Sequence, residues 1–514
     1  MCEAAEGGCC GGRPAKAPRD SNPASHPLKC MKCKEGPPVL IIRVGDAFCK
    51  ACFKDYFVHK FRAILGKNRC IFPGEKVLLA FSGGPASSSM VRQVQEGLSQ
   101  EAAKKLRFKP GIIFVDEGAV CGQDLEKRGE VHRQVELILR ATGFPFHLVH
   151  LEEVFDLPSS ILHSVSHEAT DRSQNYKEAV DGFLRQQQQQ SAKAGVSLPG
   201  QLAELGIREP SRKEATEVPG PLPVLHTTEL TRLFGAVKTL TAKEELLQTL
   251  RNHLILHVAR TNGYTKVMVG DSCSRVAVKL LTNLSLGRGA FLAGDTGFSD
   301  GRHGDVLVLR PMREYSAKEI AFYNRLFRVP AVFTPSLDTK APDRASIHRL
   351  IESFLYKLQS EFPSTISTVY RTGEKLGTAP QDAAAGGDAE PERCLLCLCT
   401  LDTNVVDGSS LQSTLLSEEL CQKPPPSSES VCCGGGPAQA GCCRNLPTAG
   451  AVLPQSHLLP HLCYSCRLTI KDMTCLEPLP LYIHSEADRR QHRAAMKQEI
   501  QEFLLEDDEE LLGS

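Results

Sequence analysis

Several absences narrow what this 514-residue sequence can be. Net charge is missing: 60 Lys+Arg stand against 60 Asp+Glu, so the chain as a whole draws neither nucleic acid nor an anionic membrane, and only local clusters can select a partner. No apolar run approaches the roughly 20 residues of a membrane-spanning helix, so no membrane partner is expected. The opening Met1-Cys2-Glu3-Ala4-Ala5-Glu6 lacks the basic and then apolar regions of a secretory leader, and a cytoplasmic setting is expected. There is no Gly-x4-Gly-Lys-Ser/Thr, which disfavours an ordinary P-loop ATPase, and no internal repeat.

Cysteine is what the chain has in quantity, with 21 residues. In a reducing compartment these are metal ligands, buried thiols or unstructured thiols rather than disulfides. Cys30-x2-Cys33 and Cys49-x2-Cys52 lie in one small module, and this spacing lets four thiolates converge on a tetrahedral zinc. Val39–Val44 followed by Gly45-Asp46 suggests a small strand pair, as in a zinc ribbon. The alternative is a redox pair or coincidental Cys-x-x-Cys motifs. The module is basic, with Lys29, Lys32, Lys34, Lys50 and Lys54 among its cations, which hints at phosphate contact. Phe53, Phe57 and Phe61 recur at helical spacing, as expected for packing. Near the other end Cys394-x2-Cys397 and Cys463-x2-Cys466 could close a second zinc site, because loop length adds little entropic cost. Cys399, His461 and Cys475 are competing ligands there. Cys432, Cys433, Cys442 and Cys443 sit in Gly/Pro/Ser-rich sequence and read as incidental thiols.

Residues 1–28 read as disordered, 29–70 as the zinc ribbon and 71–372 as an α/β domain with a mostly parallel sheet. Its strands are expected at Val77–Phe81, Ile112–Val115, Phe146–His150, Lys266–Val269 and Val306–Leu309, with a helix over Glu244–Thr261. A polar insertion is expected at about 165–235, holding Gln187–Gln190 and a Pro-rich stretch. A linker over 373–392, a Cys-rich region over 393–480 and a helix with an acidic tail over 481–514 follow.

The run Val77–Phe81 breaks at once into Ser82-Gly83-Gly84-Pro85-Ala86-Ser87-Ser88-Ser89. Strand, glycine loop and helix start together can cradle a phosphate on backbone N–H groups. Asp116 ends the second strand, and Gly270-Asp271 ends the fourth. Converging strand ends make a nucleotide crevice from Ser82, Gly83, Gly84, Ser87, Ser88, Asp116, Gly270 and Asp271. Cys273 stands beside it, as a thiol nucleophile or as a small buried residue.

The loop resembles the pyrophosphate (PP) loop of ATP pyrophosphatases, Ser-Gly-Gly-x-Asp-Ser, with Ala86 where that family has its acid. A zinc ribbon, this loop, Val115-Asp116-Glu117-Gly118, Gly270-Asp271 and Leu309-Arg310-Pro311, in that order, resemble the cytosolic tRNA 2-thiolation family over roughly residues 29–480. The degenerate loop and split C-terminal cysteines resemble most the second subunit of its heterodimer. The resemblance implies a PP-loop fold and a complex in which ATP adenylates the wobble uridine at its 2-oxygen. Sulfur then arrives as the thiocarboxylate of a ubiquitin-related modifier. It also implies partners: tRNA, the modifier and a catalytic subunit using a Cys-x-x-Cys pair and a third cysteine. The matching stretches here, Leu247-Gln248-Thr249-Leu250 and Pro330–Pro335, hold no cysteine. With Ala86 and Pro85 weakening ATP and Mg²⁺ handling, no catalytic residue is assigned, and a tRNA-binding, partner-stabilising subunit is expected. The alternatives are an active ATP-dependent tRNA sulfurtransferase and a zinc-ribbon adaptor without an RNA role.

Overall fold

The computed structural model describes residues 29–42, 46–99, 105–163, 180, 182–185, 224–376, 392–401 and 458–501. The expected N-terminal disorder, the Gln-rich run, the four incidental thiols and the acidic tail fall outside them. The chain divides into two compact units between Phe57 and Val58.

The first unit carries a two-stranded antiparallel ribbon. In it β1 (Leu40–Ile41) pairs with β2 (Ala47–Phe48), Leu40 opposite Phe48. Helix α1 (Lys50–Asn68) begins directly after, so the strand pair foreseen over Val39–Val44 exists in shortened form. Phe53 and Phe57 are fully buried, their rings edge to face at 6.0 Å.

The second unit is built on a six-stranded sheet in the order β5-β4-β3-β6-β8-β7. The strands are β3 (Lys76–Ala80), β4 (Lys109–Asp116), β5 (Phe146–His150), β6 (Lys266–Val269), β7 (Ser299–Asp300) and β8 (Leu307–Leu309). All pairings are parallel except β7 with β8. The α/β reading with a mostly parallel sheet therefore holds, and all five expected strands are present. Central β3 reads as an unbroken apolar run because both faces are covered: Val77, Leu78 and Leu79 are fully buried. The unexpected strand is β7, whose two residues are too short to leave a periodic signature.

Helices α2 (Pro85–Leu98) and α3 (Leu125–Arg140) follow β3 and β4. After two 3₁₀ turns, Leu151–Asp156 and Ser159–Leu162, α4 (Val224–Ala236) lies within the stretch expected as insertion. Its Leu230 and Leu233 are fully buried, and that apolar stripe makes it part of the core. The long α5 (Leu240–Thr261) starts ahead of the expected Glu244 because Thr239 caps it, accepting from the Ala242 N–H. Then come α6 (Cys273–Ser285), α7 (Leu292–Thr296), α8 (Ala317–Phe327), α9 (Ile347–Glu361) and α10 (Thr365–Lys375). The C-terminal α11 (Tyr464–Lys471) and α12 (Leu481–Gln501) complete the described chain. Leu395, Leu396, Leu462, Ile470 and Tyr482 share one core with Leu246, Leu250 and Leu254 of α5, so the Cys-rich segment belongs to the body of this unit. No helix among the described residues is long and apolar enough to cross a membrane.

Candidate phosphate loop and metal centres

The loop after β3 has the backbone form its sequence demands. Gly83 adopts φ +78°, a left-handed conformation that glycine enters without steric cost. Gly84 then precedes α2, with Pro85 in its first turn and no side-chain cap. Gly270 abuts this turn: a Cβ there would lie 2.9 Å from the Ser87 N and Cα. The ends of β3 and β6 are thus brought together as the motif order suggested.

The loop's hydroxyls, however, are satisfied by the loop itself. Ser87 Oγ donates to the Gly84 carbonyl (3.0 Å), accepts from the Ser82 N–H (3.2 Å) and lies 3.1 Å from Ser82 Oγ. Ser88 and Ser89 are buried, and Ser89 Oγ donates to the Ala86 carbonyl (2.9 Å). A strap over Pro330–Pro335 covers two of the loop's carbonyls. The Val332 N–H donates to Gly83 O (2.9 Å), and Thr334 Oγ1 donates to Ser82 O (3.1 Å). Asn324 Nδ2 donates to Pro85 O at 2.8 Å.

Both strand-end acids have partners of their own. Asp116 Oδ2 accepts from Arg128 Nε (2.8 Å) and lies 3.3 Å from His150 Nδ1 and 3.6 Å from His132 Nε2, while its Oδ1 accepts from the Gly118 N–H (2.8 Å). Burial opposes the charge of Asp116, but these neighbours outweigh it and hold the carboxyl well below its ordinary range. Arg128 also bridges to Glu152 through both terminal nitrogens (2.7 and 3.1 Å). Asp116, His132 and His150 lie close enough together to be metal ligands, yet the Arg128 guanidinium already supplies a positive charge beside Asp116 and His150. The sequence reading missed Arg128, His132, His150 and Glu152. One signal was available, Arg128 and His132 sharing one face of α3 at i, i+4; that Asp116 pairs with His150 in the β4–β5 register shows only once the strands are aligned.

Asp271 Oδ2 is 3.5 Å from Nε of buried Arg310, which donates to the carbonyls of Gly294 (3.0 Å) and Gly297 (3.1 Å). Cys273 is buried, and burial pushes its thiol up to about 11, which disfavours the thiolate that a nucleophile needs. At the stretch matching the Cys-x-x-Cys pair, Leu247 and Leu250 point into the core. Nearby, Arg251 Nη2 donates to Glu117 (2.9 Å), and Cys121 Sγ donates to Pro335 O (3.3 Å).

The cysteines converge as their spacing implied. Cys30, Cys33, Cys49 and Cys52 form one set and Cys394, Cys397, Cys463 and Cys466 another, the sulfurs of each lying within 4.8 Å of one another. The second set assembles without Cys399, His461 or Cys475. Both centres share one construction. In each, the first pair sits on a tight turn with a left-handed residue right after it, Lys34 (φ +60°) or Leu398 (φ +59°). In each, the second pair brackets a helix N-terminus, that of α1 or of α11, where unpaired N–H groups favour thiolate.

The donor set fits a single tetrahedral ion. Zn–S bonds of about 2.3 Å place ligand sulfurs ~3.8 Å apart; Cys33 and Cys49 are separated by 3.9 Å, and Cys397 and Cys463 by 3.5 Å. Backbone N–H groups of Cys33 and Cys49 draw the Cys30 thiol down to about 6, while its crowded neighbours, Cys49 foremost, push Cys52 up to about 12. Four thiolates that close need a cation to coexist. Beside the second centre Arg288 Nη2 lies 3.9 Å from Cys466 Sγ, and Arg302 Nη1 donates to Cys399 Sγ (2.9 Å).

A family model described as cytoplasmic tRNA 2-thiolation protein 2 matches residues 346–468. Proteins of that name are similar over nearly the whole length. The one from Homo sapiens is 54% identical, covering 97% of this chain and 98% of its own. The one from Danio rerio is 52% identical, covering 94% and 95%. Among solved structures, the U34-tRNA thiolase NcsA from Methanococcus maripaludis with its 4Fe-4S cluster is 15% identical, covers 68% of this chain and 86% of its own, and superposes with a TM-score of 0.42.

Proposed function

On the premise that the chain belongs to the cytoplasmic tRNA 2-thiolation protein 2 family, we propose that it is the non-catalytic subunit of a cytoplasmic tRNA thiolase. The observation that carries the reading is the 54% identity over 97% of the chain. In the reaction, uridine O2 at the wobble position leaves with AMP after adenylation, and sulfur takes its place. The sulfur comes from the thiocarboxylate of a ubiquitin-related modifier, and the catalytic thiolase subunit is the heterodimer partner.

The assignment of catalysis to that subunit is supported by chemistry at three points here. The loop has Ala86 in place of an acid and Pro85 in place of a donor. Its hydroxyls are turned onto its own backbone. The stretches where the resemblance places thiols are a core-facing helix turn and the strap. For tRNA, the first unit offers the exposed Lys29, Lys32, Lys34 and Lys50, the residue type that meets phosphates.

We assign zinc to both four-cysteine sets. A multi-iron cluster would hold its cysteines farther apart, because the metal–sulfide core lies between them; one tetrahedral ion suits the observed separations. The ion would be structural, with all four positions taken by protein and none left for substrate.

The test is wobble 2-thiouridine in tRNA from cells lacking the chain, rescued with wild type or with Ser82→Ala/Gly84→Ala. Loss restored by both places the chain in thiolation as a non-catalytic subunit. Rescue by wild type alone gives the loop a required role and revives the ATP-dependent enzyme. Unchanged 2-thiouridine removes the assignment.

A further inference from the structure

Helix α12 has a packed half and a bare half. Tyr482, Ile483, Glu486 and Ala487 are buried; the Glu486 carboxylate accepts from Arg489 and Arg490 (both 2.7 Å) and faces His163 Nε2 at 3.0 Å. From Gln491 to Ile500 every residue is exposed, a stretch of ~15 Å at 1.5 Å per residue. The packed half supplies the helix nucleus, and the half that continues it presents its side chains to water. With 3.6 residues per turn, Arg489, Arg493, Met496, Lys497 and Ile500 fall on one side, while Gln491, Ala495 and Gln498 take the other. Met496 is 60% and Ile500 51% exposed.

We propose that this side of α12, centred on Arg493, Met496, Lys497 and Ile500, docks into an apolar groove with an acidic rim on a protein partner. Charge and shape argue together. From Arg493 to Ile500 the face carries cations and no carboxylate; Glu499 borders it at i+3 from Met496, and Glu486 one turn upstream already takes Arg489. The cations flank the two apolar anchors at the i, i+3, i+4 spacing with which helices engage grooves. RNA phosphates would satisfy Arg493 and Lys497 but leave Met496 and Ile500 in water. Two apolar side chains are too few to hold a helix in a membrane surface. The acidic groove uses both kinds of group.

The choice of probe rests on the proposed function, since the partner to test is the catalytic thiolase subunit. The full chain, Met496→Ala/Ile500→Ala and Arg493→Glu/Lys497→Glu are each titrated with that subunit and with tRNA by calorimetry. Each pair is expected to weaken subunit binding by at least ~10-fold, as loss of groove anchors does, with the melting temperature unchanged because these side chains are exposed. Wild-type affinity in both variants overturns the assignment, and so does failure of the wild-type chain to bind the subunit. Weakened tRNA binding in the charge variant with no effect of Met496→Ala/Ile500→Ala overturns it in favour of an RNA contact. Dependence of 2-thiouridine on the chain is measured separately, so the thiolation reading survives or fails on its own result.

Discussion

The Nε2 of His348 lies 3.0 Å from a carboxylate oxygen of Glu245, and its Nδ1 faces Glu244 at 3.1 Å. An acid facing each nitrogen favours the imidazolium. Burial alone would lower its pKa, but the two carboxylates raise it from the ordinary 6.5 to about 9. The ring pins the start of α9 to α5, and Glu245 in turn pairs with Arg288, the neighbour of Cys466. A pKa raised on folding gives stability that is complete below about 6.5 and is lost as pH climbs through about 9. The size is roughly 3 kcal/mol at 1.36 kcal/mol per unit. Denaturant midpoints between pH 6 and 10 should fall for the wild type and lie flatter for His348→Gln.

Each metal centre should report separately. Wild-type chain purified without chelator is expected to hold two zinc ions, and Cys30→Ser or Cys466→Ser one. Structural zinc contributes about 10–16 kcal/mol to small-site folding, so Cys466→Ser should unfold the packing around Leu395, Leu462 and Ile470. Metal analysis with near-ultraviolet circular dichroism checks both; a count unchanged in Cys30→Ser refutes the first site.

Two glycines at the phosphate loop resist a side chain for different reasons. Gly83→Ala puts a side chain at φ +78° with its Cβ 3.0 Å from the Val332 carbonyl, and the left-handed backbone alone costs about 1–2 kcal/mol. Gly270→Ala needs no left-handed backbone but meets the Ser87 N and Cα at 2.9 Å, and these helix-start backbone atoms yield little. Both substitutions should therefore lower the melting temperature, and a wild-type value for Gly270→Ala would contradict the close approach of β6 to the loop.

Arg128 holds two buried acids, Asp116 and Glu152. Arg128→Met leaves both without their cation, and breaking a buried pair in this way costs about 3–5 kcal/mol. Arg128→Lys should rescue little, because one ammonium cannot reproduce the fork that spans Asp116 and Glu152. Urea denaturation of both variants measures the difference.

What the sequence made legible was local. Cys-x-x-Cys spacing brings thiols together whatever surrounds them, and an apolar run such as Val77–Phe81 announces a buried strand by itself. The loop's form was equally readable, since Ser-Gly-Gly after a strand leaves the backbone few options. What stayed hidden depends on contacts distant in sequence. Val332 and Thr334 reach the loop from some 250 residues away, and no local pattern marks them. His348 reads as an ordinary helix residue until α9 meets Glu244 and Glu245. Helix α4 was absorbed into the insertion because the Pro-rich stretch before it masked the spacing of Leu230 and Leu233.

With an ion bound, the second four-cysteine set would also be a fastener between separate lengths of chain. Cys397 and Cys463 stand 66 residues apart, and the leucines beside them enter one core. A protease cut between residues 401 and 458 would therefore sever the polypeptide without parting it: the ion and the shared core would hold the two fragments as one particle. The pieces could be expressed separately and should find each other when zinc is supplied.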